Sequence, residues 1–197
     1  MTPRLALTEA AIRLVRHAAT DIPTQAAVAL PPGRVLRNAL GASTDPRDWL
    51  MEAALLRLVS IIEAYVDAVS MFRMGLVVDS SHVLVARMLE DFEVGSSSTW
   101  QQRHDSYTAY HKFSLKSRAG WDVVSAGIEV RNCLAHGLGN LTAKQRTKTG
   151  LSTAVSRINV TVGSNRMHLS ATTVPTLGRG CDDFVRDVDR DLDLINP

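Results

Sequence analysis

The sequence is poor in aromatic residues and in cysteine. Aromatic side chains make up 5% of its 197 residues. Because successive bases of a single strand stack on such rings, this scarcity argues against a stacking platform for single-stranded nucleic acid. The two cysteines, Cys133 and Cys181, form no CxxC pair. They are too few for a disulfide framework and favour a reducing cytoplasm.

Long apolar runs are absent as well. No run of apolar residues reaches the ~18 that a membrane span requires. The first residues lack the apolar core and the cleavage site that are typical of a signal peptide. We therefore expect a cytoplasmic protein that has no membrane partner.

Charge is unevenly distributed along the chain, although the formal net charge is only +2. Residues 100–150 contain eight Lys or Arg against three acids, and residues 181–197 contain six Asp against two Arg. A basic segment attracts an anionic partner such as RNA. A solvated helix face followed by a polar loop gives the same count, so both interpretations stay open. Apolar residues alternate with the Asp of the tail, which predicts an amphipathic helix rather than a metal site.

Apolar residues recur at helical spacing through most of the chain. They predict helices over residues 8–20, 46–74, 80–92, 100–115, 118–136 and 175–194. Thr8 and Asp45 are predicted N-caps, and Pro46 suits a first helical position. Gly75 and Gly137 are predicted helix ends.

The periodicity changes after residue 150. Residues 154–162 are rich in β-branched side chains and predict a strand, residues 163–166 a turn, and residues 167–174 the partner strand. The fold class is therefore mainly α, a helical bundle with a β-hairpin before the last helix. Residues 1–44 are too few for a core of their own and are predicted to form a helical arm on a domain that spans residues 45–197.

A candidate active site lies near the end of the predicted helix 118–136. It consists of Arg131, Asn132 and His136, three polar residues in an otherwise apolar segment. The arginine fork matches phosphate oxygens and can stabilise the charge of a transition state. A histidine with a pKa near ~6.5 exchanges a proton at neutral pH. Such a set can cleave RNA without a metal, by attack of the ribose 2′-OH on its own phosphate.

The spacing of these residues leaves three interpretations open. Asn132 and His136 are four apart and share a helix face, but Arg131 and His136 lie ~140° apart around the axis. The helix end can leave the imidazole free to swing, or two copies can each present both residues to a shared groove. Alternatively, the residues are structural: the arginine pairs with an acid such as Glu63 or Glu129, and the histidine caps the helix.

The motif Arg-Asn-x-x-Ala-His-Gly resembles that of the HEPN superfamily, in which an arginine is followed after four to six residues by a histidine. The segment 58–65 is similar to part of the first HEPN helix, and the order of elements is similar over roughly residues 45–194. The resemblance implies a helical bundle that dimerises with its two motifs facing each other. Many members are metal-independent endoribonucleases of toxin–antitoxin, anti-phage or RNA-processing systems, whereas others have lost catalysis and act as binding domains.

The resemblance implies a role for each motif residue. Arg131 would bind and stabilise the phosphate, His136 would act as general base or acid, and Asn132 would orient them. We expect a homodimer that acts on RNA, with an antitoxin or a sensor protein as a further candidate partner and with no cofactor. The alternative is an inactive dimeric adaptor for a protein or a nucleotide. His104 and His111 are seven apart but lack a third ligand for a metal.

Overall fold

The structure is a computed structural model that describes residues 3–24, 45–79 and 81–194, with the backbone alone for residues 3–5 and 191–194. Within these ranges the chain forms eight α-helices and one two-stranded antiparallel hairpin, which confirms a mainly helical fold with a hairpin before the last helix. The elements are α1 (Pro3–Arg16), α2 (Pro46–Val77), α3 (Val83–Ser97), α4 (Trp100–Tyr110), α5 (Trp121–Gly137), α6 (Ala143–Arg146), α7 (Leu151–Ser156), β1 (Thr161–Gly163), β2 (Arg166–His168) and α8 (Thr173–Leu194). A π-helical segment, His17–Asp21, extends α1, and a 3-10 turn, Leu115–Ser117, lies between α4 and α5.

The hydrophobic core lies where α1, α2, α5 and α8 pack against one another. Helices α2 and α8 pack against each other, and each also contacts α1 and α5. Each fully buried Leu, Val or Phe stabilises the fold by roughly 1.5–3 kcal/mol relative to an exposed side chain. The largest such side chains on these two helices are Leu55, Leu58, Val59, Ile62, Val66, Val69, Leu177 and Phe184.

Helix α1 packs against α2 and α8, and it begins earlier than the predicted residue 8. The prediction that Thr8 is an N-cap is wrong, because Thr8 is buried inside α1. Its hydroxyl donates to a carboxylate oxygen of Asp189 on α8 at 2.6 Å. The turn predicted near residues 35–40 lies outside the described residues.

The predicted start of α2 is confirmed, and its predicted end is wrong. The Asp45 side chain accepts a hydrogen bond from the backbone N–H of Arg47 at 2.9 Å, and Pro46 occupies the first turn. Gly75 does not end the helix, because it does not adopt the left-handed conformation that a glycine stop requires. The helix ends instead at Val77, before an extended Val78 with φ −113°.

Helix α3 lies about four residues later than predicted. His82 caps it through its Nδ1, which accepts from the N–H of Leu84 at 3.2 Å. The predicted loop at residues 95–98 is mostly helix. The hydroxyls of Ser97 and Ser98 donate back to the carbonyls of Glu93 and Val94, at 2.7 and 2.8 Å, and so compete little with the helical backbone.

The two helices that follow are shorter than predicted. Helix α4 ends at Tyr110 rather than at residue 115, and Lys112 then takes a left-handed φ of 60°. Helix α5 begins at Trp121 rather than at residue 118, after Gly120 with a φ of 75°.

The hairpin exists but is much smaller than predicted. The strand predicted over residues 154–162 is wrong for most of its length, because Leu151–Ser156 is the helix α7 and buries Val155. Each strand has three residues, in the register Thr161↔His168 and Gly163↔Arg166. Ser164 and Asn165 form the turn between them, both with positive φ, 52° and 60°. Positive φ at both central residues is typical of a type I′ turn.

Candidate active site

Helix α5 carries the three predicted site residues outside its buried face. Arg131 and Asn132 are half-buried, and His136 is exposed. All three are therefore available to a ligand or to a second protein surface. The face that packs into the core consists of Val124, Ala126, Gly127, Val130, Cys133 and Leu134.

Close contact with α8 fixes where α5 begins. A β-carbon at Gly120 would collide with the carbonyl oxygen of Gly180 on α8, and its φ of 75° also requires glycine. The backbone N–H of Ala119 donates to a carboxylate oxygen of Asp187 on α8 at 2.9 Å. These contacts set the rotation of α5 and hence the direction in which the motif residues point.

Arg131 lies between two partners on one flank of α5. Its Nη1 donates to Oδ1 of Asn132 at 3.1 Å, and its Nη2 lies 4.0 Å from Oε2 of Glu63 on α2. The other oxygen of Glu63 accepts a hydrogen bond from Nε1 of Trp100 at 3.0 Å. The Arg131 side chain is 35% exposed, so solvent weakens the ion pair and part of the guanidinium stays open. Of the two predicted acid partners, the structure selects Glu63.

His136 lies on the opposite flank, next to the last residue of α5. Its side chain is exposed and makes no hydrogen bond within the described part of the chain. The backbone caps the helix instead: the N–H of Gly139 donates to the carbonyl of Cys133 at 3.3 Å, and the N–H of Leu138 to that of Leu134 at 3.1 Å. The interpretation of the His136 side chain as a helix cap is therefore wrong.

The structure thus brings Arg131 and Asn132 together but not Arg131 and His136. Five residues of an α-helix separate the last two by ~140° around the axis and ~7.5 Å along it. Asn132 lies between them on the exposed face. Within one copy the arrangement is two flanks of one surface rather than one pocket.

The β-hairpin clamps the loop that follows α5. Arg166 on β2 donates through Nη2 to the carbonyl of Leu138 at 2.9 Å, and through Nη1 to Oδ1 of Asn140 at 3.2 Å. The guanidinium covers Gly139, where a β-carbon would lie 2.9 Å from Nη2. No sequence pattern pointed to Arg166, because it lies in the predicted turn.

A basic segment borders the His136 flank. Glu129 pairs with Lys148 at 2.6 Å rather than with Arg131, and its backbone carbonyl accepts from Nε2 of Gln145 at 2.8 Å. These contacts hold α6 against α5, so the predicted loop 138–150 contains an ordered helix. Lys144, Arg146 and Lys148 are exposed there.

His104 and His111 are interior residues. The ring of His104 packs edge-on against Trp121 with 4.6 Å between centroids, and Nε2 of His111 lies 2.8 Å from Oγ of Ser70. Burial lowers the pKa of each imidazole from 6.5 to about 4, so both are neutral at pH 7. Among the described residues, no group of three or more His, Cys, Asp or Glu has the arrangement of a metal site.

The acidic segment belongs to helix α8, as predicted, but its Asp face is only partly solvated over the side chains described, which end at Arg190. Asp182 pairs with Arg186 at 2.9 Å, and the Asp187 and Asp189 carboxylates bind other elements of the chain. Cys181 on the same helix is buried and free, as is Cys133 on α5.

Comparisons with known proteins add nothing to this geometry: no family model, no curated protein and no solved structure matches the chain. In the ranges that the structure describes, no helix has the length and the apolar character to cross a membrane. A proposal on function therefore depends on α5 and the residues around it.

Proposed function

We propose that this chain is a metal-independent endoribonuclease that cleaves RNA by attack of the ribose 2′-OH on the adjacent phosphate. The observation that carries the proposal is the exposed face of α5, where Arg131, Asn132 and His136 lie outside the packed core. A buried or fully paired set would not be available for chemistry. The resemblance of this motif to that of the HEPN superfamily supports the same reaction.

Each side chain has a task that its chemistry fits. The Arg131 guanidinium binds the scissile phosphate and stabilises the charge of the transition state, while its contact with Asn132 at 3.1 Å orients the fork. The His136 imidazole acts as the general base and accepts the proton of the 2′-OH. The 2′-oxygen then bonds to phosphorus, and the bond from phosphorus to the 5′-oxygen breaks. The leaving 5′-oxygen takes up a proton, which gives a 2′,3′-cyclic phosphate and a 5′-hydroxyl.

A homodimer would resolve the divergence of Arg131 and His136. If two α5 faces oppose each other, the arginine of one copy approaches the histidine of the other, and the second histidine can protonate the leaving oxygen. Leu138 is 48% exposed beside the motif and offers apolar surface for such a contact. The pairing also gives RNA a single groove with two arginines.

The surroundings favour a polyanion over a small neutral substrate. Lys144, Arg146 and Lys148 are exposed on the flank that His136 occupies. Cations at this place attract the phosphates of RNA on either side of the scissile bond. We further propose a toxin–antitoxin or anti-phage setting in the cytoplasm, with an antitoxin or sensor protein as partner, because HEPN-like nucleases act in such systems.

Cleavage of labelled RNA in EDTA tests this proposal. Wild-type protein should leave a 2′,3′-cyclic phosphate, and all-deoxy substrate should stay intact because it lacks the nucleophile. Loss of the base in His136→Ala, and of the phosphate ligand in Arg131→Ala, should each lower the rate by roughly 10²–10⁴-fold. Arg13→Ala and His17→Ala, at exposed positions of α1 and its extension, are matched controls that should keep full activity. Full activity in both motif variants would refute the proposal.

One observation favours the second candidate, an inactive dimeric adaptor for a protein or nucleotide. The carboxylate of Glu63 already lies 4.0 Å from Arg131, as a structural arginine requires. Expression in cells discriminates between the two functions. Growth arrest that His136→Ala abolishes supports the nuclease, whereas RNA that stays intact under all conditions and a ligand still bound by His136→Ala support the adaptor.

A further inference from the structure

Helix α3 has an apolar side that faces outward. None of its residues is buried, and its inner side contacts α4, where Phe92 packs edge-on against Tyr110 with 5.0 Å between centroids. The outward side carries four apolar residues that are 67–80% exposed: Val83, Leu84, Met88 and Val94. Large apolar residues exposed together on one side of a helix are typical of a protein–protein contact.

Two charges lie among these apolar residues. Arg87 and Asp91 are exposed and four apart, so they share the outward side of the helix. Neither forms an ion pair with another described residue. We define the α3 face as Val83, Leu84, Arg87, Met88, Asp91 and Val94.

Four of these six residues are arranged symmetrically about Leu89. Arg87 and Asp91 lie at equal distances before and after Leu89, and so do Leu84 and Val94. In an antiparallel pair of α3 helices centred on Leu89, each arginine therefore meets the aspartate of the second copy, and each leucine meets the valine. A two-fold interface needs such reciprocity, because the same patch serves both subunits.

We propose that the α3 face binds the α3 face of a second copy of this chain, in antiparallel orientation. Each copy contributes a helix of 15 residues. Apolar contacts supply most of the attraction, and the two Arg87–Asp91 pairs select the antiparallel register. Leu76 and Val77, at the end of the preceding helix α2, are also exposed apolar residues, at 68% and 62%.

This contact does not depend on the nuclease proposal. It uses α3, whereas the paired motif uses α5. A chain that uses both faces forms an assembly larger than the dimer of a chain that uses α5 alone. Loss of the α3 contact therefore lowers the mass in either case, to a dimer where α5 pairs and to a monomer where it does not.

Charge reversal tests the α3 contact, with light scattering after size exclusion to measure the mass. Arg87→Asp and Asp91→Arg each replace two attractions by two repulsions, and each should weaken association by roughly tenfold or more. The double variant Arg87→Asp/Asp91→Arg restores both pairs and should associate like the wild type. An equimolar mixture of the two single variants should also associate, because one face is then acidic and the other basic.

As a control, Arg13→Asp makes the same change of charge on α1 and should leave the mass unchanged.

Disulfide crosslinking tests directly which residues of the two α3 helices lie opposite each other. Leu84→Cys/Val94→Cys should form a covalent dimer on oxidation, whereas Leu84→Cys alone should not, because the two residues 84 lie ~15 Å apart along the pair. The native cysteines are buried and do not interfere. A mass that no α3 variant changes, together with no crosslink, would overturn the proposal and assign this face to a different protein.

Discussion

The contact between Gly139 and Arg166 allows a direct test of how much the β-hairpin stabilises the loop that follows α5. We expect Gly139→Ala to destabilise the protein far more than Gly150→Ala. Both glycines are left-handed, with φ 88° and 75°. They differ in their surroundings, because a β-carbon at Gly139 would lie 2.9 Å from Nη2 of Arg166, while no atom lies within 4 Å at Gly150.

The magnitude follows from two contributions. A left-handed alanine costs roughly 1–2 kcal/mol relative to a right-handed one, and both variants carry this cost. Gly139→Ala must also displace the Arg166 guanidinium, which donates to the Leu138 carbonyl at 2.9 Å. A hydrogen bond from a charged group is worth about 1.5–3 kcal/mol. We therefore expect the free energy of unfolding to fall by about 1.5–3 kcal/mol more in Gly139→Ala than in Gly150→Ala.

Urea unfolding followed by circular dichroism measures this difference, provided that the m-values agree. A double-mutant cycle locates its cause. In an Arg166→Ala background the guanidinium is gone, and Gly139→Ala should cost no more than Gly150→Ala. Equal losses for the two glycine variants in the wild-type background would show that the clamp on this loop is not rigid, and would refute the reasoning.

Three further predictions concern other parts of the chain. His104 and His111 have folded pKa values of about 4 against 6.5, so the unfolded state binds more protons below pH 6.5. Each histidine should contribute its full stabilisation above pH 6.5, and the free energy of unfolding should fall by up to ~1.4 kcal/mol per pH unit for each histidine as the pH drops to 4. If the free energy of unfolding of His111→Gln falls with pH as steeply as that of the wild type, this prediction is wrong. Gly178→Ala on α8 should destabilise the protein by about 1–3 kcal/mol in thermal unfolding, because its β-carbon would collide with the π-helical segment. The control Gly95→Ala on α3 should stabilise the protein slightly, because no atom lies near its β-carbon and alanine favours a helix. Under the proposed nuclease function, Glu63→Gln removes a carboxylate that would compete with RNA for the α5 arginine, and it should tighten RNA binding up to about fivefold in an anisotropy titration. Weaker binding would instead mean that the carboxylate orients the arginine.

A helix boundary was predictable from the sequence where a side chain of that same turn caps the helix. Asp45 followed by Pro46 is an example, since both act within one turn of the helix. Gly75 shows the opposite case, because a glycine permits a helix end without requiring one. The strand predicted over residues 154–162 failed because β-branched residues also suit a short buried helix, and Val155 fills the core from α7.

The candidate site was predictable in composition but not in contacts. The spacing of Arg131, Asn132 and His136 already implied two flanks of one helix, and the structure has that arrangement. The partners on each flank depend on how distant segments pack. Glu63 precedes Arg131 by 68 residues in the chain, and Arg166 follows the motif at a position that the local pattern assigned to a turn.

The hydrogen bond between Trp100 and Glu63 makes the site observable by fluorescence. The emission of an indole depends on the charge and polarity near its ring, and Trp100 donates to the carboxylate that faces Arg131. An anion that draws the guanidinium toward itself alters the charge balance at this carboxylate and hence the emission of Trp100. Of the other two tryptophans, Trp121 lies 5.4 Å away between ring centroids, and Trp49 is 55% exposed on the first turn of α2. The protein therefore carries its own optical probe of ligand binding, and a Trp49→Phe variant would reduce the background without touching the site.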